Sequence, residues 1–511
     1  MKYGIDKLSP TQRIGQIIMP RLDFTESNTL DYAKELIERY KVGSFIIMRG
    51  ECEDTGGAIR ELQNISPIPL ILGCDAERGL GQILSGATLF PFTMALGAID
   101  DESLVYRQAR FIADEMRAQG LNMIFAPVLD VNSNPDNPII GIRSYGDDPD
   151  KVSRLGSSFI RGSQDNGIMA CAKHYPGHGS SDIDSHIDLP TLSRSIEEFL
   201  NCDLIPFQEA IRVGVSSIMT AHIAAPRIDE NLIPATFSDT LINDVLFRRL
   251  EFRGLVISDS FHMEALSRYG DEADMAGHAM AAGCDIILDP VEPARLIEEL
   301  TTRVKDGRIS TARLEGAVGK VINAKLRVLD EHQSDLLHSK SSGSTIVDEI
   351  ARRSVCLLKG RGLDNNRVKV FVFDVTQASD EPSKPFVAKL VQAGIECEVE
   401  VIRRFDADVF FQLAPGRRQA IICLTYTSVG AWKDNYRLPE GVKLSLKRIG
   451  KADCDKFLIS FGSPYVVRGF ENFDTIICAF DRLDACQIAA AEVLLGKLKP
   501  EGILPVRLNQ L

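Results

Sequence analysis

The chain has 511 residues, of which 44% are hydrophobic and 25% charged, with a net charge of −13. That length exceeds what one compact core holds, so two domains are expected, one of them large. The negative balance argues against nucleic acid or an anionic membrane surface as a main partner, and no apolar run approaches the roughly 20 residues needed to span a bilayer.

The opening residues, MKYGIDKLSPTQRIGQ, lack an apolar stretch of signal-peptide length, and the 11 cysteines are scattered without a C-x-x-C pair. Reduced, buried thiols in a cytoplasmic protein are therefore expected. Over the first 330 residues, short apolar runs alternate with amphipathic stretches. The runs are VGSFIIM (42–48), LILGCD (70–75), MIFAPVLD (123–130), IMACAKH (168–174), SSIMTAH (216–222), GLVISD (254–259) and CDIILD (284–289). Helical patterns such as 103–120 and 195–214 lie between them and end near a glycine. Strand–helix alternation predicts a parallel sheet. Most runs end in a polar or ionisable residue: Asp75, Asp130, His174, His222, Asp259 and Asp289. Active sites of (β/α)8 barrels gather at the C-terminal ends of the strands, so the pattern predicts a TIM-like barrel over 1–332.

A polar, Ser-rich linker is expected over 333–345. From 346 the chain restarts with a helical segment, and further apolar runs occupy 368–375, 420–426, 456–462 and 475–480. These predict a smaller doubly wound α/β sandwich domain over 346–511.

Residues 168–190, IMACAKHYPGHGSSDIDSHIDLP, hold three of the eight histidines together with Lys173, Asp182, Asp184 and Asp188. His174 and His178 are four apart, but Pro176 and Gly177 between them oppose a helix. A zinc site built from these histidines and an aspartate is one alternative. In the other, Asp184 steadies the tautomer and charge of His186, two residues on. Asp259 has two readings of its own: an N-cap for a helix just after it, or a carboxylate presented at the barrel mouth. A carboxylate and a separate acid/base unit at two strand ends would equip a retaining glycosidase. The run GLGQIL brushes against the dinucleotide motif G-x-G-x-x-G, but Leu84 stands at its third glycine.

KHYPGHGSSDIDSH resembles the K-H-[FI]-P-G-H-G-x4-D-S-H signature of glycoside hydrolase family 3, in its β-N-acetylglucosaminidase branch. GLVISDSFHMEAL is similar to the nucleophile segment of that family. FAPVLDVN, IIGIRSYGDDP and LSPTQRIGQIIM also have counterparts, and ARRSVCLLK and LKPEGILPV match more loosely. The resemblance implies that Asp259 is the nucleophile, His186 the general acid/base and Asp184 its partner. It also implies that Asp75, Arg143, Lys173 and His174 bind sugar hydroxyls. The substrate it implies is an N-acetylglucosaminide, of muropeptide type among others, with no cofactor and no metal. DAERGLGQIL departs from the branch's D-x-E-G-G-R-V-x-R run, with Arg78 the nearest arginine. A histidine acid does not repel an anionic acceptor as a carboxylate does, so phosphorolysis is an alternative to hydrolysis. β-Glucosidase-like specificity and a non-catalytic sugar-binding role are further alternatives. Trp432 and Tyr436 are candidates for stacking on a sugar ring.

Overall fold

The computed structural model describes residues 5–181, 189–266, 268–331, 342–403, 419–429 and 436–508. The chain divides into two compact units. The first comprises residues 1–90, 102–131 and 152–342, and the second 91–101, 132–151 and 343–511. Two stretches of the predicted barrel segment thus group with the C-terminal region.

In the first unit, β1 (Ile18–Met19, continuing as Arg21–Asp23 after Pro20), β2 (Ser44–Glu51), β3 (Ile71–Cys74) and β4 (Met123–Ile124) are followed by β5 (Met169–Tyr175), β6 (Ser217–Thr220), β7 (Leu255–Ser258) and β8 (Ile287–Leu288). Each pairs in parallel with the next from β1 to β7. A parallel bridge between Ile257 and Ile286 joins β7 to the start of β8, and β8 pairs with the first part of β1, closing the ring. Parallel strands covered on both faces need continuous apolar runs, and β3, β5, β6 and β7 are buried at every position.

Sequence patterning missed β1 because Pro20 lacks an N–H and splits an already short ladder. MIFAPVLD forms a strand only over its first two residues. The helix expected over 195–214 is two helices, Ile196–Leu200 and Ile205–Arg212. Pro206 explains the break, since a proline fits the first turn of a helix and not its interior.

The second unit holds β9 (Cys356–Lys359), β10 (Arg367–Asp374), β11 (Glu396–Ile402), β12 (Ala420–Tyr426), β13 (Lys456–Phe461) and β14 (Thr475–Cys478). Their order is β9-β14-β13-β12-β10-β11, parallel except for β9 against β14. Val370, Leu424 and Ile459 are buried in its core with Phe386 of the helix Lys384–Gln392. The helix Gly343–Ser354 begins inside the expected linker and ends before β9, so the predicted helical segment is part helix and part strand. No helix among the described residues is long and apolar enough to cross a membrane.

Candidate active site

The C-terminal ends of the barrel strands hold a cluster of buried ionisable groups. The register of β5 on β6 slips between Ala172 and Tyr175. Such a bulge lets successive side chains turn to one side instead of alternating. The slip falls on Lys173 and His174, and both engage carboxylates from the β3–β4 side. Lys173 is 2% exposed, with its Nζ 2.6 Å from Asp75 Oδ1 and 2.7 Å from Glu77 Oε1. A buried ammonium needs this compensation, because one left unpaired costs several kcal/mol.

His174 Nδ1 lies 2.7 Å from Asp130 Oδ2. A carboxylate only accepts, so this nitrogen carries the proton. Asp130, wholly buried, also accepts from the backbone N–H of His178 at 2.6 Å and of His174 at 3.3 Å. One carboxylate thus fixes the imidazole and the turn after it. The chain beyond β4 delivers it there, with Leu129 N–H donating to Lys173 O at 2.7 Å. Burial raises the Asp130 carboxyl, but His174 and His178 outweigh it and hold the group below its ordinary value. Burial also pushes the His178 imidazole down to about 4, against the pull of Asp130. His178 Nδ1 lies 2.7 Å from Ser181 Oγ.

Gly177, at φ 129°, begins the turn. A Cβ there would lie 2.7 Å from Asp203 Cβ, so only glycine fits. Asp203 pairs with Arg194, and burial pushes its carboxyl up to about 6 against that cation.

Asp259 lies directly after β7. Its N–H donates to Thr220 O at 3.0 Å, and its Oδ1 accepts from the Ser260 N–H at 2.8 Å. The N-cap reading fails. The next helical element is a short 3-10 turn at Glu264–Leu266, and the helix Glu272–Ala282 is capped by Asp271. Burial pushes the Cys171 thiol of β5 up to about 12, with smaller contributions from Ser217, Lys173, Asp75 and Asp259. Asp259 also acts on His178. Thr220 in turn pairs with Tyr175 at the end of β5, so Asp259 stands at the same end of the barrel as Lys173 and His174. Next to it, Ser260 Oγ donates to Asp289 Oδ2 at 2.6 Å, and Arg21 Nε donates to Asp289 Oδ1 at 2.6 Å. A hollow of about 440 Å³ opens at this side, lined in part by Arg21, Tyr32, Arg49 and His262.

The structure thus brings Asp75, Lys173 and His174 together and sets Asp259 at the same end of the barrel. Asp184, His186 and Trp432 lie outside the described residues. Arg143 belongs to the second unit, in the turn Gly141–Arg143, where its Nη1 donates to Ile139 O at 2.9 Å. Tyr436, also in the second unit, has the Arg437 guanidinium over its ring at 5.4 Å. Arg78 Nε donates to Phe90 O at 3.2 Å. His174 and His178 have ring centroids 6.1 Å apart, and no group of three metal-ligating side chains occurs among the described residues. Sequence reasoning missed Glu77 and Asp130 as partners of Lys173 and His174. The signal available was their position at strand ends, in DAE and PVLD.

Residues 11–324 match the profile of the glycosyl hydrolase family 3 N terminal domain. A beta-N-acetylglucosaminidase/beta-glucosidase of Cellulomonas fimi is 28% identical over 376 residues, 70% of this chain and 66% of that protein. A beta-hexosaminidase of Hydrogenovibrio crunogenus is 31% identical over 331 residues, 62% of this chain and 90% of the relative. The solved structure of a family 3 beta-N-acetylglucosaminidase from Paenibacillus sp. is 30% identical, with a TM-score of 0.86 over 98% of this chain and 99% of that one. With a closed parallel barrel and strand-end charges of this kind, the chain belongs to glycosyl hydrolase family 3, a family of glycosidases.

Proposed function

We propose that the protein is a retaining exo-β-N-acetylglucosaminidase that removes terminal N-acetylglucosamine, including from muropeptide-like fragments. The observation that supports this reading is that Asp259 follows its strand at the barrel end that holds Lys173 between Asp75 and Glu77 and His174 on Asp130. The names of the relatives supply the sugar.

Asp259 attacks the anomeric carbon and forms a glycosyl ester as the bond to the leaving oxygen breaks. His186, steadied by Asp184, gives that oxygen its proton, then takes one from the water that cleaves the ester. Asp75 and Lys173 hold sugar hydroxyls by charge-assisted hydrogen bonds. His174, with its Nδ1 proton on Asp130, offers Nε2 to the same ring.

The test is a panel of 4-nitrophenyl β-glycosides carrying N-acetylglucosamine, glucose or xylose, assayed with and without inorganic phosphate. Release of N-acetylglucosamine in phosphate-free buffer is expected, at the highest kcat/KM of the three. Faster turnover of the glucoside overturns the sugar assignment. Product formed only with phosphate, as a sugar 1-phosphate, overturns hydrolysis.

A further inference from the structure

We propose that His222 and Asp289 are positioning residues for the Asp259 carboxylate, acting together through Ser260. This rests on Asp259 being the nucleophile. The Asp259 carboxylate is tied by its Oδ1 to the Ser260 N–H at 2.8 Å, so its orientation depends on the backbone of Ser260. Two side chains from neighbouring strands hold that one residue. His222, wholly buried beyond β6, has its Nε2 3.1 Å from the Ser260 carbonyl oxygen. A carbonyl only accepts, so Nε2 carries a proton and donates it. Asp289, beyond β8, takes the Ser260 hydroxyl at 2.6 Å.

Both holders are themselves fixed. His222 Nδ1 lies 2.9 Å from Thr236 Oγ1. Asp289 bonds to Arg21 through its carboxylate and to Met19 O through its own N–H, at 2.8 Å. Ser260 is thus stapled to the strands on both sides of β7, through two different atoms. Neither holder needs to touch the sugar. Their effect is on the aim of a carboxylate that must approach the anomeric carbon to about 3–3.5 Å, where a 1 Å misplacement costs about 10²-fold in rate.

The experiment compares the full chain with its Ser260→Ala, Ser260→Thr and His222→Ala variants on 2,4-dinitrophenyl β-N-acetylglucosaminide. That leaving group departs without a proton, so the rate of glycosyl-enzyme formation, measured by stopped flow, does not depend on His186. Binding of a non-hydrolysable thioglycoside and the melting temperature are measured alongside. Ser260→Ala is expected to slow ester formation about 10-fold and His222→Ala about 100-fold, with thioglycoside binding within about twofold of the parent. Ser260→Thr, which keeps the hydroxyl, is expected to recover most of the rate. Parent-like rates in both alanine variants overturn the proposal, as does a rate loss no larger than the loss of thioglycoside binding. If His222→Ala does not fold, the Ser260→Ala and Ser260→Thr pair decides. Full activity in Asp259→Ala overturns the nucleophile itself, whereas an unaffected Ser260→Ala in an enzyme that needs Asp259 overturns only the staple.

Discussion

At the floor of the barrel, Asp285 is fully buried and accepts from Arg313 Nη2 at 3.1 Å, Lys320 Nζ at 2.9 Å and the Val256 N–H at 3.1 Å. Arg313 donates further to Met280 O and Cys284 O. At the mouth, Lys173 sits between two carboxylates, one of which, Asp75, has a 35% exposed side chain. Both ends bury charge and both pair it. At the floor, the pairing closes on strand and helix backbone and holds the ring shut. At the mouth, it holds groups in fixed positions at a rim open to solvent. One chemistry therefore serves stability at one end and presentation at the other.

Mutations at the two ends should separate these roles, and the largest effect belongs to the mouth. Asp259→Ala is expected to lower kcat by on the order of 10³-fold or more, with the melting temperature unchanged. A variant with parent-like kcat breaks the contrast. At the floor, Asp285→Asn should do the reverse. Leaving Arg313 and Lys320 short of a partner costs about 3–5 kcal/mol in denaturant melts, while kcat per folded molecule stays at the parent value.

The pH dependence sharpens the comparison. His178 titrates at about 4 in the folded chain, held down by burial, against an ordinary value of 6.5. The unfolded chain therefore takes up this proton first as pH falls. The stabilising effect is complete above pH 6.5 and is lost between there and pH 4, amounting to about 3 kcal/mol. Urea melts at pH 7 and pH 4.5 should show the loss, and His178→Gln should shrink it. At the floor, burial pushes Lys325 down to about 7, with its Nζ 2.8 Å from Gln16 Oε1. Here the unfolded chain holds its proton more tightly, so stability rises with pH from about 7 towards 10.5. Lys325→Met should raise stability at pH 7 by about 1–3 kcal/mol and flatten that rise. A melting temperature that falls instead would mean the amine is a needed part of the floor.

Seven of the eight barrel strands were legible because parallel strands buried on both faces read as unbroken apolar runs, and their ends read as polar residues. The eighth was not, since Pro20 cuts it into pieces too short to show a pattern. Lys173, His174, Asp75 and Asp259 were legible as strand ends and as parts of long motifs. Asp130 and Asp289 were legible as strand ends too, but what they pair with was not. Asp130 reaches His174 across 44 positions and Asp289 reaches Ser260 across 29, and single-chain periodicity carries no information about such pairings. The insertion of 91–101 and 132–151 into the second unit was hidden for the same reason, because it is a fact of long-range contact rather than local pattern.

The cluster of Lys173 with Asp75 and Glu77 sets two carboxylates around one ammonium, at the end of the barrel where Asp259 also stands. As a sugar's exocyclic bond breaks, its ring carbon and oxygen share a growing positive charge. Under the proposed function, carboxylates at this rim attract the electron-poor ring more strongly than the neutral one. Under that reading, ring mimics with a protonated nitrogen should bind more tightly than neutral ones.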